Sequence, residues 1–335
     1  MHAHLEGQLS YLQIYLEPLE FCLDDPDITD IYINRPGEIW FETIGGATRR
    51  LEAPDLTEAL LSRLARQIAS ITHQGINRQH PLLGATLPNE ARIQIVAPPA
   101  TRGPMAIAIR KHVAADFGLD ELSASGMFHS TRAQAVADSA DRELDRLYRE
   151  EDWSAFMKAS IRARKTIVIS GGTSTGKTTF LNALLREIPP HERLIAIEDT
   201  PELALRHENS VGFVSVRSDL GESQVSADDL LIASLRMRPD RIILGEIRGR
   251  EAFTFLRAVN VGHPGSLTTI HADTPERAVD QLALLVLQTG SNLRREDVEG
   301  FVHASVDVFV QLQRRNGRRS VSEIRWRGAV AHPAM

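Results

Sequence analysis

Ser170-Gly171-Gly172-Thr173-Ser174-Thr175-Gly176-Lys177-Thr178-Thr179 is the stretch that decides how this chain folds. It satisfies GxxxxGK[ST], and its flanks are the ones the pattern needs: Lys165 to Ser170 reads as a short apolar strand, Lys177 to Leu185 as a helix. Glycines let the backbone wrap closely around phosphate oxygens, and the helix start adds unpaired N–H groups and a positive dipole end. Gly171, Gly172, Thr173, Ser174, Thr175, Gly176, Lys177, Thr178 and Thr179 are therefore the expected contacts to ATP. Lys177 should reach the β- and γ-phosphates, and the Thr178 hydroxyl should ligate Mg²⁺.

Helix and strand signals alternate on either side of this loop, from Trp153 onward. Arg193 to Ile197, Arg241 to Leu244 and Leu267 to Ile270 read as strands, Ala227 to Met237 and Arg250 to Val259 as helices. Such alternation predicts a parallel sheet with helices on both faces. Near the end, Val306 to Gln313 and Arg319 to Trp326 flank Asn316-Gly317, a strong hairpin signal.

Hydrolysis would need a carboxylate beside the γ-phosphate. Arg241-Ile242-Ile243-Leu244-Gly245-Glu246 is an apolar strand ending in acid, with Gly245 where many P-loop enzymes carry aspartate. Glu246 is then the candidate to orient or deprotonate water, or else a cap on the next helix. Glu198, in Ile197-Glu198-Asp199-Thr200-Pro201-Glu202, also ends a strand and could reach Mg²⁺ through water; turn formation is its alternative role. His271 closes the strand Leu267 to Ile270, where ligands of α/β sheets collect, and could sense the γ-phosphate. His263 lies in the preceding loop, and no partner at ligand spacing makes a metal pair of the two.

The first hundred or so residues read as a mixed unit. Leu12, Tyr15, Leu16 and Leu19 mark an amphipathic helix, and Ile28 to Asn34 with Ile39 to Phe41 a hairpin. Positions 56 to 72 form the next helix, and Arg92 to Ala97 and Met105 to Arg110 two further strands. The segment from 114 to 152 holds few β-branched residues and includes the charged stretch Asp141 to Asp152, whose signs alternate at helical spacing, the pattern of a solvated helix joining two domains. The expected division is an N-terminal α+β domain at 1–113, a linker at 114–152 and an α/β ATPase domain at 153–335.

Bulk properties agree. At 335 residues two domains are the default, and 42% hydrophobic with 24% charged residues is ordinary for a globular protein. The net charge of -6 argues against a chain-wide nucleic-acid footprint. Cys22 is the only cysteine, which excludes an internal disulfide and a CxxC zinc site. No apolar run is long enough for a membrane span and the N-terminus lacks a basic, then apolar, leader pattern, so a soluble intracellular protein is expected.

Four blocks in order resemble the hexameric traffic ATPases of type IV secretion systems, within the secretion ATPase superfamily. They are Gly171 to Thr178, the acidic box Ile195 to Glu202, Leu235-Arg236-Met237-Arg238-Pro239-Asp240 to Gly249, and the histidine box Gly262 to Ala272. Ile28 to Gly37, Ala91-Arg92-Ile93-Gln94 and Ile107 to Lys111 extend the resemblance more loosely into the first domain. It implies a RecA-like P-loop NTPase domain, a homohexamer, and inner-membrane partners at the cytoplasmic face, with no stable nucleic-acid partner. It also implies that Arg92 and Arg110 reach over the nucleotide, and that the linker swaps domains between neighbours. One cysteine excludes the tetracysteine module usual in the type II assembly ATPases. A pilus motor of the same superfamily, a nucleic-acid translocase using Arg314, Arg315, Arg318 and Arg319, and a non-hydrolysing scaffold are the competing readings. Four arginines at one turn are more often a charged edge that blocks strand pairing.

Overall fold

Period-two alternation early in the chain and apolar runs later build two separate sheets in the computed structural model, which describes residues 10–112, 118–129, 131, 139–216, 221–290 and 292–331. The first sheet has six strands in the order β3-β2-β1-β6-β5-β4. These are β1 (Ile28–Ile33), β2 (Gly37–Thr43), β3 (Thr48–Ala53), β4 (Leu82–Thr86), β5 (Arg92–Val96) and β6 (Ala106–Arg110). The expected hairpin is present, with Tyr32 opposite Trp40. Helix α1 (Glu58–Ile71) starts where the Thr57 side chain accepts from Leu60 N, and buries Leu61, Leu64 and Ile68. The chain is helical from 10 to 24 and tightens to a 3-10 turn over Glu17–Leu19, where Pro18 supplies no N–H. Sequence reading missed β3, whose first five residues are all exposed and so carry no apolar rhythm.

The second sheet has the order β13-β12-β7-β11-β10-β8-β9. Strands β7 (Ile167–Gly171), β8 (Leu194–Glu198), β9 (Ser210–Val214), β10 (Arg241–Ile247), β11 (Leu267–Ile270) and β12 (Val308–Arg315) pair in parallel, and β13 (Arg318–Trp326) is antiparallel to β12. Alternate residues of one strand enter different cores. Ile242 and Leu244 pack with α5 (Ala227–Ser234), α6 (Glu251–Val261), α7 (Pro275–Leu287) and α8 (Arg295–Ser305). Ile243 faces the other way, with α2 (Ser139–Arg149), α3 (Trp153–Arg162) and α4 (Lys177–Leu185). Each of these fully buried aliphatics contributes roughly 2 kcal/mol, which is why the strands read as unbroken apolar runs. Asn316 and Gly317 both take positive φ, 50° and 81°, as a tight hairpin turn requires.

The charged segment expected to be a solvated helix differs. Within it α2 buries Leu144 and Leu147, and Trp326 Nε1 donates to Asp145 Oδ1 at 2.7 Å. Two apolar residues three apart suffice to seat a helix whose other faces are charged.

The two sheets meet through a buried polar knot. Arg193 lies 4.1 Å over the Tyr32 ring, and its Nη1 donates to Asn34 Oδ1 at 2.7 Å and also to Asn209. Burial pulls the Arg193 guanidinium down to about 10. Arg241, fully buried at the start of β10, forks onto Glu192 with both contacts at 2.7 Å and fixes that strand. Among the described residues no helix is long and apolar enough to cross a membrane.

Candidate functional site

Strand β7 ends at Gly171, and α4 begins at Lys177. A Cβ on Gly171 would lie 2.6 Å from Thr175 Oγ1 and 2.9 Å from Leu312 O, so the loop can turn here only with glycine. Gly176 caps α4 at φ +98°, a backbone region that side chains rarely adopt. Thr175 Oγ1 donates to Gly172 O at 2.9 Å and braces the curve, while Thr173 is exposed at its crest. Lys177 Nζ donates to Gly171 O at 2.9 Å and Gly172 O at 3.1 Å, which holds the ammonium over the loop. Burial draws its pKa down while Glu246 opposes that. Ser174 to Thr179, Glu246, Thr269 and Arg319 line a cavity of about 190 Å³.

Two residues from neighbouring strands close over the lysine. Glu246 lies on β10 and His271 follows β11, and the strands are adjacent. His271 Nε2 is 2.9 Å from Glu246 Oε1 and 3.4 Å from Lys177 Nζ. Glu246 Oε2 accepts from Arg248 at 2.6 Å. A cation, an acid and an imidazole thus converge at one edge of the sheet. Glu246 does not cap α6, whose start has no side-chain cap; Glu251 instead accepts from Arg248 N and Gly249 N, at 2.7 and 2.8 Å, in the loop before it.

Glu198 stands differently from its expected place on the nucleotide. Its Oε1 accepts from Glu202 N and Leu203 N, both at 2.9 Å, and its Oε2 pairs with Arg102. The carboxylate is thereby committed to a turn and an ion pair and does not line the phosphate cavity. Gly245 explains itself here: a Cβ on it would come within 2.9 Å of Glu198 Cγ. The side chain of Glu198 fills the space an aspartate at 245 would need.

Arg92 and Arg110 are not brought to the phosphate loop of their own chain. They line a separate open cavity of about 1020 Å³ with Arg236, Arg238 and His263. His263 Nδ1 is 3.0 Å from Pro239 O, and burial lowers its pKa.

Sequence reading missed two arginines. Arg319 belongs to the group taken as a charged edge, yet its Nε donates to Ser174 O at 3.1 Å. Arg102 sits on the loop after β5, which joins the free edge of β9: Arg102 N donates to Gly212 O and Val214 N to Ala100 O, each at 2.9 Å. A Cβ on Gly212 would strike Arg102 Cδ at 2.4 Å, so that glycine clears the path to Glu198. Gly212 and Gly245 are the only traces of this contact in the sequence, and neither names its partner.

Removing Arg102 would leave a buried carboxylate oxygen unpaired. Arg102→Ala should cost about 2 kcal/mol, with part returned when Glu198→Gln is added. Equilibrium denaturation of the four species tests it, and equal midpoints would show that the ion pair carries no weight.

The profile of the family described as "Type II/IV secretion system protein" matches residues 15–322. The chain is 36% identical to the type IV secretion system protein VirB11 of Bartonella henselae, over 97% of this chain and 95% of that one. It is 37% identical to PtlH, a type IV secretion system protein of Bordetella pertussis, over 96% and 97%. A crystal structure of the VirB11 ATPase of Brucella suis with sulphate superposes with a TM-score of 0.91, at 35% identity, covering 98% of this chain and 99% of that one.

Proposed function

This chain belongs to the type II/IV secretion system protein family, and from that membership we propose that it is a type IV secretion ATPase, hydrolysing ATP in a ring of like subunits. The observation that carries the reading is the meeting of Lys177, Glu246 and His271 over the phosphate loop. In this reading the loop N–H groups and Lys177 hold the β- and γ-phosphates. Glu246 orients and deprotonates the attacking water. Arg248 donates to one oxygen of Glu246 and sets its direction, His271 lies 2.9 Å from the other, and His271 stands where a γ-phosphate on Lys177 would meet it.

Mg²⁺ fits the residues present. Thr178 faces the cavity with Glu246, a sparse oxygen set that suits an ion held largely by nucleotide phosphates. Bound there, the ion would neutralise charge on the β- and γ-oxygens. Glu198 would not hold it, being committed to Arg102 and the 202–203 turn.

Arg92 and Arg110 would serve the nucleotide of a neighbouring subunit. What supports this is that they are absent from the lining of their own loop's cavity and group with Arg236 and Arg238 in a separate one. An arginine arriving from another subunit excludes water and neutralises developing charge. It also makes subunit position depend on the γ-phosphate, because a ligand shifts an equilibrium only through contacts that differ between states. The motion would be delivered to inner-membrane components of the secretion machine at its cytoplasmic face. Contact with the membrane would run through those partners.

Subunit mixing tests this. Lys177→Ala and the Arg92→Ala/Arg110→Ala pair should each be nearly inactive, and mixed rings should recover phosphate release. Recovery comes from loops of one parent facing arginines of the other. Failure of mixed, size-verified rings to recover any turnover would rule out action between subunits.

A further inference from the structure

The hairpin of β12 and β13 passes beside the phosphate loop, and its register sets which residue faces it. Leu312 on β12 is level with Gly171, the last residue of β7. Two residues further, about 7 Å at strand rise, stands Arg314, and Arg319 is its partner on β13. The returning strand therefore carries Arg319 past the start of α4. Its Cδ lies 3.3 Å from where a Cβ on Gly176 would stand, and its Nε donates to Ser174 O at 3.1 Å.

We propose that Arg319 is a phosphate-binding residue of its own chain, contacting the part of the phosphate chain shared by ADP and ATP. The proposal rests on the reading of the cavity as a nucleotide site. Nε is spent on Ser174, which pins the plane of the guanidinium and leaves its two Nη groups available. Among the described residues no carboxylate pairs with Arg319, whereas Glu246 in the same cavity already has two partners. Arg314, Arg315 and Arg318, on the same hairpin, do not line the cavity. A planar fork with a fixed orientation matches phosphate oxygens in a way an ammonium does not.

Anchorage on the loop gives the proposal a distinct signature. An arginine already in place before chemistry stabilises bound substrate and transition state alike, and so acts on affinity more than on turnover. Arg92 and Arg110, arriving from a neighbour, would act mainly on turnover. Glycine at 176 would be needed twice, for its positive φ and to let Arg319 lie across it.

The experiment measures binding of fluorescent ADP and ATP to the full chain, with steady-state phosphate release alongside. Arg319→Gln should weaken both nucleotides roughly tenfold, as loss of a bidentate charge-assisted contact does, and raise KM far more than it lowers kcat. Glutamine can still donate to Ser174 O, so a residue that merely clips the loop would be rescued. Arg319→Lys should fall between, and Arg315→Ala should bind as the unaltered chain does. Wild-type affinity in Arg319→Gln, or a loss confined to kcat, would overturn the assignment. No nucleotide binding by the unaltered chain would overturn the nucleotide reading as well.

Discussion

Lys177→Ala is expected to lower ATP turnover by roughly 10³-fold, the range seen when a preorganised donor to developing charge is removed. The side chain is held by Gly171 O and Gly172 O and is largely buried. Its ammonium is therefore held over the loop in advance and would meet bound phosphates with little reorganisation, while burial would strengthen its field relative to water. Nucleotide affinity should fall too, because the contact is made to bound substrate as well. Phosphate release and fluorescent-nucleotide titration read the two effects separately. Turnover at the parent rate would remove the basis for treating this loop as the reacting site.

Glu246→Gln should keep nucleotide affinity but slow hydrolysis by roughly 10²-fold or more, the usual worth of a general base. Glutamine can still accept from Arg248, so the geometry survives while the basicity is lost. Glu198→Gln separates the two acids. With its carboxylate bound to Arg102 and two backbone N–H groups, Glu198 should affect stability before chemistry. Burst and single-turnover kinetics on both variants decide the matter. A slower chemical step in Glu198→Gln than in Glu246→Gln would exchange their roles.

The sequence by itself determined the succession along the chain of β7, β8, β10, β11, β12 and β13, though not β9, and the place of the phosphate loop. Local chemistry does this: apolar runs that must be buried on both faces, and glycines where the chain must turn left-handed. Glu246 and His271 were legible for the same reason, each ending an apolar strand. That they touch, and that His271 reaches Lys177 from 94 positions away, was not. Contact depends on which strands lie side by side, and the order β12-β7-β11-β10 is not sequence order. Tertiary structure alone decided that Arg102 takes up Glu198, that Arg92 and Arg110 lie apart from their own loop, and that Arg319 lies on it. Arginines at strand ends and turns look alike in sequence, because a long charged side chain carries no periodic signal. Its partner is fixed only when strands far apart in the chain are brought into register, as Leu312 is beside Gly171.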